Sequence, residues 1–261
     1  MKQYIVDAFT DHPFAGNPAA VCVMEKWPSD EAMMKLAREN NLSETAFLVK
    51  ENQGYRLRWF TPGTEVDLCG HATLASSFVI FNIFEKYSDV VHFYTRSGEL
   101  IVKRQGNRYV MDFPTFDQKE IPVTDDMERA FGVRPVKALL DMDLVCVFDQ
   151  EDQVREMNPD QALLLGLPGR LQNVTAAGKY ADCVSRSFGP KVAVPEDPVC
   201  GSAHCQIADY WASVLNKKEI HAYQASARGG DLYCEMLDNG RIAIAGEAVL
   251  VMESEILAEL Y

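Results

Sequence analysis

What this sequence lacks narrows its chemistry before anything present is weighed. Its seven cysteines are an odd number and never fall as Cys-x-x-Cys. Neither a disulfide framework nor a zinc knuckle is therefore expected, and a reducing, cytoplasmic setting is. His-Glu-x-x-His is absent, and His92, His204 and His221 show no metal-ligand spacing, so no metal is expected. The P-loop, Gly-x-Gly-x-x-Gly and Gly-x-Ser-x-Gly words are also missing, which removes the usual signatures of nucleotide cofactors and serine hydrolases. Positive charge is scarce, 25 Lys and Arg against 38 Asp and Glu for a net −13, so no nucleic-acid face is expected. An anionic ligand must then be held by local dipoles or a few cations, against the overall field. No apolar run reaches the roughly 18 residues of a membrane span. The opening Met1-Lys-Gln-Tyr-Ile-Val-Asp7 meets an acidic residue too early for a signal peptide.

What is present is an ordinary globular composition, 261 residues of which 48% are hydrophobic and 24% charged. Such a length suits one large domain or two of about 100–150 residues. One short word is written twice. Glu65-Val-Asp-Leu-Cys69-Gly70-His71-Ala72 returns as Glu196-Asp-Pro-Val-Cys200-Gly201-Ser202-Ala203, and each copy is followed by a long apolar stretch with helical character. A Cys-Gly pair opening a helix points free backbone N–H groups and a partial positive charge at whatever lies in front of it. Two such openings in one chain predict two related halves facing a site for a small anion.

The remaining pattern is mostly strand. Gln3–Phe9, Ala19–Met24, Thr45–Val49 and Tyr55–Thr61 are β-rich runs, and Ser29 caps a helix over Ser29–Asn40. His71–Lys86 is apolar on nearly every side and predicts a helix buried all round. Val90–Thr95, Leu100–Arg104 and Arg108–Phe113 follow as strands, and the polar stretch Asp117–Asp126 reads as a boundary. In the second half Val136–Phe148 holds strand material, and Asn158-Pro159 opens a short helix. Gln172–Ala176 and Asp182–Phe188 are strands, Ser202–Leu215 is the counterpart helix, and Leu232–Leu237 and Arg241–Ala245 flank an Asp238-Asn-Gly240 turn. Strands, buried helix, strands, twice over, predict an α+β fold of two pseudo-symmetric halves, each a curved, mostly antiparallel sheet around one central helix. The expected halves are residues 1–115 and 116–261, with the last strand returning to the N-terminal half and the active site in the cleft between them.

The candidate chemical residues each have an ordinary reading beside the functional one. Cys69 and Cys200 at helix starts have the placement of lowered-pKa thiols that could act as a base pair; buried cysteines are also common inert core residues. Glu44 in Asn41-Leu-Ser-Glu44-Thr-Ala-Phe47 is a carboxylate at a strand entrance, a proton shuttle if desolvated and a turn residue otherwise. His71 can donate a hydrogen bond or proton, or simply satisfy a helix start. Asp197 can orient a histidine or a substrate amine, or suit the helix dipole. Ser202 can orient a substrate group, but Ser in that place reads first as an N-cap, and Arg228, in Gln224-Ala-Ser226-Ala-Arg228-Gly-Gly230, reads as a carboxylate partner or a surface cation.

Taken in order, Asp7-Ala-Phe9, Phe14-Ala-Gly16-Asn17-Pro18, Ser43-Glu44-Thr-Ala-Phe47, Phe60-Thr-Pro62, the two Cys-Gly words and Gln224–Gly230 resemble the PhzF-like family of phenazine-biosynthesis proteins. The resemblance runs from residue 3 to at least 230. It implies the diaminopimelate-epimerase-like fold and an isomerase that moves a proton without cofactor or metal. It implies Glu44 as the shuttle, His71 and Asp197 as its assistants, and Asn17, Gly70, Gly201, Ser202, Ser226 and Arg228 as substrate-binding positions. It also points to a homodimer and to a small anionic metabolite as substrate, with no nucleic-acid or membrane partner. One departure stands out: PhzF-like proteins usually carry Thr where this chain has Cys200. A Cys pair is the mark of racemase and epimerase relatives, although those carry Asn where this chain has His71. A two-thiol Cys69/Cys200 racemase or epimerase is therefore the alternative, and a non-catalytic metabolite-binding protein of the same fold a third.

Overall fold

The order of strand pairings is used twice. In a computed structural model describing residues 1–260, the chain forms two units: Met1–Asp112 joined by the segment from Ala245 onward, and Phe113–Ile244. The first unit begins with β1 (Lys2–Ala8), β2 (Asn17–Met24), α1 (Asp30–Asn40), β3 (Glu44–Glu51), β4 (Gly54–Phe60) and the two-residue β5 (Glu65–Val66). It continues with α2 (Gly70–Val79), a π-helical turn (Ile80–Phe84), β6 (Val90–Thr95), β7 (Gly98–Gln105) and β8 (Arg108–Pro114). β1 pairs antiparallel with β2, β2 parallel with β3, β3 antiparallel with β4, and β4 parallel with β6.

The second unit carries β9 (Lys119–Ile121), α3 (Asp125–Phe131), β10 (Lys137–Leu140), β11 (Leu144–Val147), α4 (Glu151–Arg155) and α5 (Gln161–Leu164). After these come β12 (Gln172–Ala177), β13 (Cys183–Gly189), β14 (Val194–Asp197), α6 (Gly201–Leu215), β15 (Glu219–Gln224), β16 (Gly230–Met236) and β17 (Arg241–Gly246). Here β10 is antiparallel to β11, β11 parallel to β12, β12 antiparallel to β13, and β13 parallel to β15. That is the order of the first unit, strand for strand. The last strand, β18 (Ala248–Glu255), pairs antiparallel with β1. The fold is α+β with mostly antiparallel pairing, and among the described residues no helix is long and apolar enough to cross a membrane.

The helix that follows each Cys-Gly turn is largely buried, unlike α1, which buries only Met33 and Ala37. Eight of the ten residues of α2 are buried, including Leu74, Ala75 and Val79. Its hydroxyls return to its own backbone: Ser76 Oγ donates to the Ala72 carbonyl (2.7 Å) and Ser77 Oγ to that of Thr73 (2.8 Å). Polar groups satisfied in this way can be buried at little cost. In the second unit, α6 does the same with partners on the sheet, Trp211 Nε1 donating to Thr175 Oγ1 at 2.9 Å.

Local readings hold where a cap or turn decides them. Ser29 does cap α1, accepting the Ala32 N–H at 3.2 Å. The helix expected over His71–Lys86 instead ends at Phe84 through the π turn, whose last bond runs from Glu85 N–H to the Ile80 carbonyl (2.7 Å). The short helix expected from Asn158 starts at Gln161, because Asp160 accepts both the Ala162 and Leu163 N–H groups. The stretch Asp117–Asp126, read as a boundary, holds β9 and the start of α3, capped by Thr124 on the Met127 N–H.

Candidate active site

The repeated word does the same structural job in both units. Its glutamate is gripped by an arginine from the strand before it. Arg58 on β4 donates from Nε and Nη2 to the two oxygens of Glu65 (2.7 and 2.8 Å), and Arg186 on β13 does the same to Glu196 (2.7 and 2.9 Å). Such forked pairs fix geometry as well as charge. They hold the segment that leads into each Cys-Gly turn. Cys69 and Cys200 are then the N-cap residues, Gly70 and Gly201 open the helices, and neither cap offers its side chain to the helix N–H groups. Both helices thus start with their amide donors uncapped. The carbonyl of each cap is bonded from the fourth residue on: Thr73 Oγ1 donates to Cys69 O at 2.5 Å, and His204 Nδ1 to Cys200 O at 2.7 Å.

In the first unit this opening meets a carboxylate. Glu44 begins β3, whose register sets it beside Ala19 of β2. Its Oε2 lies 3.0 Å from His71 Nε2, with side-chain exposures of 16% and 7%. The separation is that of an ion pair, but the angles are not those of a hydrogen bond, and both buried atoms have no hydrogen-bond partner among the described residues. The other ring nitrogen, Nδ1, is 3.5 Å from Cys69 Sγ. Burial works against charge on His71, the Cys69 sulfur and the Glu44 carboxylate work for it, and the balance lies well above the ordinary imidazole value. Cys69 is pushed up to about 11, by burial first and then by the charge of Glu44. The thiol is a thiol at neutral pH, contrary to the lowered value its helix position suggests. Glu44, Cys69 and His71 offer ligand atoms within 4.8 Å of one another. The imidazole, however, turns opposite nitrogens to the other two, which is the geometry of a relay rather than a cage.

In the second unit the opening meets a different set. Ser202 is the second residue of α6, not its cap; its Oγ lies 3.4 Å from Cys200 Sγ and accepts from Arg170 Nη2 at 3.2 Å. Arg170 is locked in turn by Asp143, whose two oxygens accept from Nε and Nη2 at 3.2 Å. Asp143 is 1% exposed. Its Oδ1 also accepts the Leu171 N–H, and its peptide groups bond the Gln206 amide of α6 on both sides. Asp197, at the end of β14, accepts the Val199 N–H. Cys200 lies well above the usual thiol value, because of burial and then the nearby Asp197 charge.

The other expected positions divide. Asn17 is buried at the head of β2. Ser226 is committed to backbone, donating to the Pro198 carbonyl at 2.7 Å and accepting the Gly229 N–H at 3.1 Å. Arg228 is partly buried on the loop before β16. Sequence reading missed Arg170 and Asp143, which sit in no repeated word. It also missed the Arg58 and Arg186 grips, whose signal was present: an arginine on the strand preceding each repeated glutamate. Two cavities, of about 260 and 420 Å³, lie elsewhere, lined by residues such as Arg155, His221 and Asp231 in one and Asn82, Arg104 and Tyr109 in the other. Neither includes the residues above, so volume alone does not find the chemistry.

Comparison with known proteins places these features. Residues 6–254 match the family of phenazine biosynthesis-like proteins, PhzC-PhzF. A protein of Pseudomonas aeruginosa named as an uncharacterized isomerase is 48% identical, over 96% of both chains. One of Halalkalibacterium halodurans, also named as an uncharacterized isomerase, is 44% identical over 97% of both. The crystal structure of a phenazine biosynthesis protein of the PhzF family from Enterococcus faecalis superposes with a TM-score of 0.96 at 46% identity, covering 98% of this chain and 99% of that one. With a family match across nearly its whole length and relatives this similar end to end, the chain belongs to the phenazine biosynthesis-like (PhzF) protein family.

Proposed function

We propose that this protein is a cofactor-independent isomerase that moves a proton within a small carboxylated metabolite, with Glu44 as both base and acid. Family membership and the isomerase names of its relatives support the class. The finer reading is carried by the Glu44–His71 pair: a carboxylate mostly withdrawn from water, 3.0 Å from a buried imidazole, with facing atoms that no neighbour hydrogen-bonds. In the proposed step, Glu44 takes a proton from a substrate carbon, and the C–H electron pair delocalises toward the substrate's carboxyl or carbonyl oxygen. The new carboxylic acid then gives its proton to another carbon of the same molecule. His71, kept cationic beside Glu44, and Asp197 hold or exchange protons on heteroatoms. The proposed anion-binding groups are the amides opening at Gly70 with Asn17 in the first unit, and those opening at Gly201 with Ser202 and Arg228 in the second. Preorganised donors of this kind are worth about 2.7–4 kcal/mol each when removed from other enzymes. Ser226 supports the Pro198 loop in this scheme.

The matched placement of Cys69 and Cys200 keeps a two-thiol racemase as the second reading. It needs one thiolate, and both sulfurs are held as thiols by burial. The test begins with small carboxylic acids that raise the melting temperature, since a ligand of the folded state stabilises it by mass action. Those acids are then followed by NMR for isomer formation. Glu44→Gln is expected to keep binding and lose turnover by about 10²–10⁴-fold. Full turnover in Glu44→Gln would overturn the assignment.

A further inference from the structure

Asn173 and Ser187, two fully buried polar side chains of the second unit, have no partner among the described residues, and both belong to the row of residues that ends on Asp197. Across β12, β13 and β14 the register sets Asn173 opposite Ser187 and Ser187 opposite Asp197. Directly opposed residues of antiparallel strands share a face of the sheet. This face is the one turned to α6, because Thr175 and Ser185, one pleat repeat away on the same strands, bond Trp211 and His204 of that helix. The apolar residues that alternate with them along the strands, Val174, Val184 and Phe188, pack in the core on the other face.

The Thr175–Ser185 pair is satisfied; the Asn173–Ser187 pair is not. Asn173 and Ser187 are both 0% exposed. Neither the oxygen nor the nitrogen of the Asn173 amide has a partner among the described residues, nor does the Ser187 hydroxyl. Buried polar groups in folded proteins are almost always bonded, so each exception calls for a physical account. Asn173 lies three residues beyond Arg170, which bonds Ser202, one of the residues proposed to bind the anion.

We propose that Asn173 and Ser187, beside Asp197, are specificity residues that bind an amino or hydroxyl group on the carbon next to the substrate's carboxylate. This rests on the isomerase reading and sharpens its substrate class. The chemistry of the row sets the choice. The Asn173 oxygen, the Ser187 oxygen and the Asp197 carboxylate accept from the N–H or O–H of such a group. The Asn173 NH2 donates to the neighbouring carboxylate oxygen or to the hydroxyl's lone pair. A plain carboxylic acid leaves these groups unpaired, and a site with unpaired buried polar groups rejects the ligand that lacks the matching one.

The experiment compares propionate, lactate and alanine as probes. Each is titrated into the full chain while the side-chain NH2 signal of Asn173, assigned by its loss in Asn173→Leu, is followed by NMR. Lactate or alanine is expected to shift that signal and to bind about tenfold more tightly than propionate, the effect of one hydrogen bond to a charged group; which of the two leads tells hydroxyl from amine. Asn173→Leu and Ser187→Ala should lose the preference. Asn173→Leu should melt no lower than the parent, because it removes an orphan rather than a bonded group. Glu44→Gln should keep the preference, so that failure of the proton-transfer assignment and failure of this subsite are read separately. Equal affinity for the three acids, binding of none of them, or an unmoved Asn173 signal overturns the proposal. A lower melting temperature in Asn173→Leu overturns it too, because the amide would then be serving the fold.

Discussion

At the scale of single residues, the two histidines of the helix openings show how placement reverses chemistry. His71 has a carboxylate within 3.0 Å, and its pKa is raised. His204 faces only a hydroxyl and a carbonyl. Its Nδ1 must donate to the Cys200 carbonyl, which leaves Nε2 to accept from Ser185 at 3.0 Å, and burial lowers its pKa to about 4. The unfolded chain takes up this proton near pH 6.5 and the folded one only near pH 4, so His204 leaves stability intact above pH 6.5. It withdraws stability as pH falls toward 4, by about 3 kcal/mol in all. Urea titrations of the parent and of His204→Gln between pH 7 and 4 check this; the variant should lose less, and parallel curves would contradict it. His71 has the opposite sign. Its contribution is complete below the ordinary imidazole value and fades as pH rises through its raised one. A catalytic role as a cation therefore predicts activity that persists through neutrality and falls on the alkaline side, and His71→Gln should lose that limb. A limb unchanged in the variant would remove His71 from the mechanism.

At the scale of elements, the sequence showed what strong local signals write and hid what depends on partners. The Ser29 cap, the two Cys-Gly openings and most strands are legible because capping chemistry, turn residues and β-rich runs act over a few positions. The Asn158 start fails because Asp160, two residues on, offers two amides an acceptor. The grips on Glu65 and Glu196 were missed although an arginine stands on the strand before each, since a repeated glutamate states that a partner exists without saying which. Arg58 and Glu65 are both largely buried, at 16% and 11% side-chain exposure. Breaking one partner of such a pair leaves a stranded charge and costs about 3–5 kcal/mol, whereas replacing both with apolar groups costs far less. Arg96 Nη2 also reaches Glu65, at 2.6 Å, so Arg58→Met should cost less than that full amount while still lowering stability more than Arg58→Met with Glu65→Leu, measured by denaturant unfolding. Gly16 is set by backbone alone: its φ is +62° and an added Cβ would lie 2.1 Å from the Ala8 carbonyl oxygen. Gly16→Ala should cost at least about 2 kcal/mol, since strain in the left-handed region adds to the collision. An unshifted denaturation midpoint would contradict that.

At the scale of the whole molecule, one pattern of pairings was used twice and then furnished differently. Each unit builds the same strand order, the same arginine–glutamate grip and the same uncapped Cys-Gly opening. In the first unit the second helical residue is His71, beside a carboxylate; in the second it is Ser202, beside a guanidinium. The duplication was legible in the repeated word, and Glu44, read as a candidate carboxylate, stands 3.0 Å from His71. The division of labour was not, because Asp143 and Arg170 reach Ser202 from loops flanking β11 and β12, and Asn173 and Ser187 line up with Asp197 through strand register, neither of which a short word records. The central claim is that a carboxylate, not a pair of thiols, moves the proton. It is tested most directly by solvent-deuterium incorporation into a turned-over carboxylic acid, compared between Glu44→Gln and Cys69→Ser with Cys200→Ser. The account predicts that the glutamine variant stops incorporation while the double serine variant continues near the parent rate; incorporation that survives in the first and vanishes in the second would contradict it.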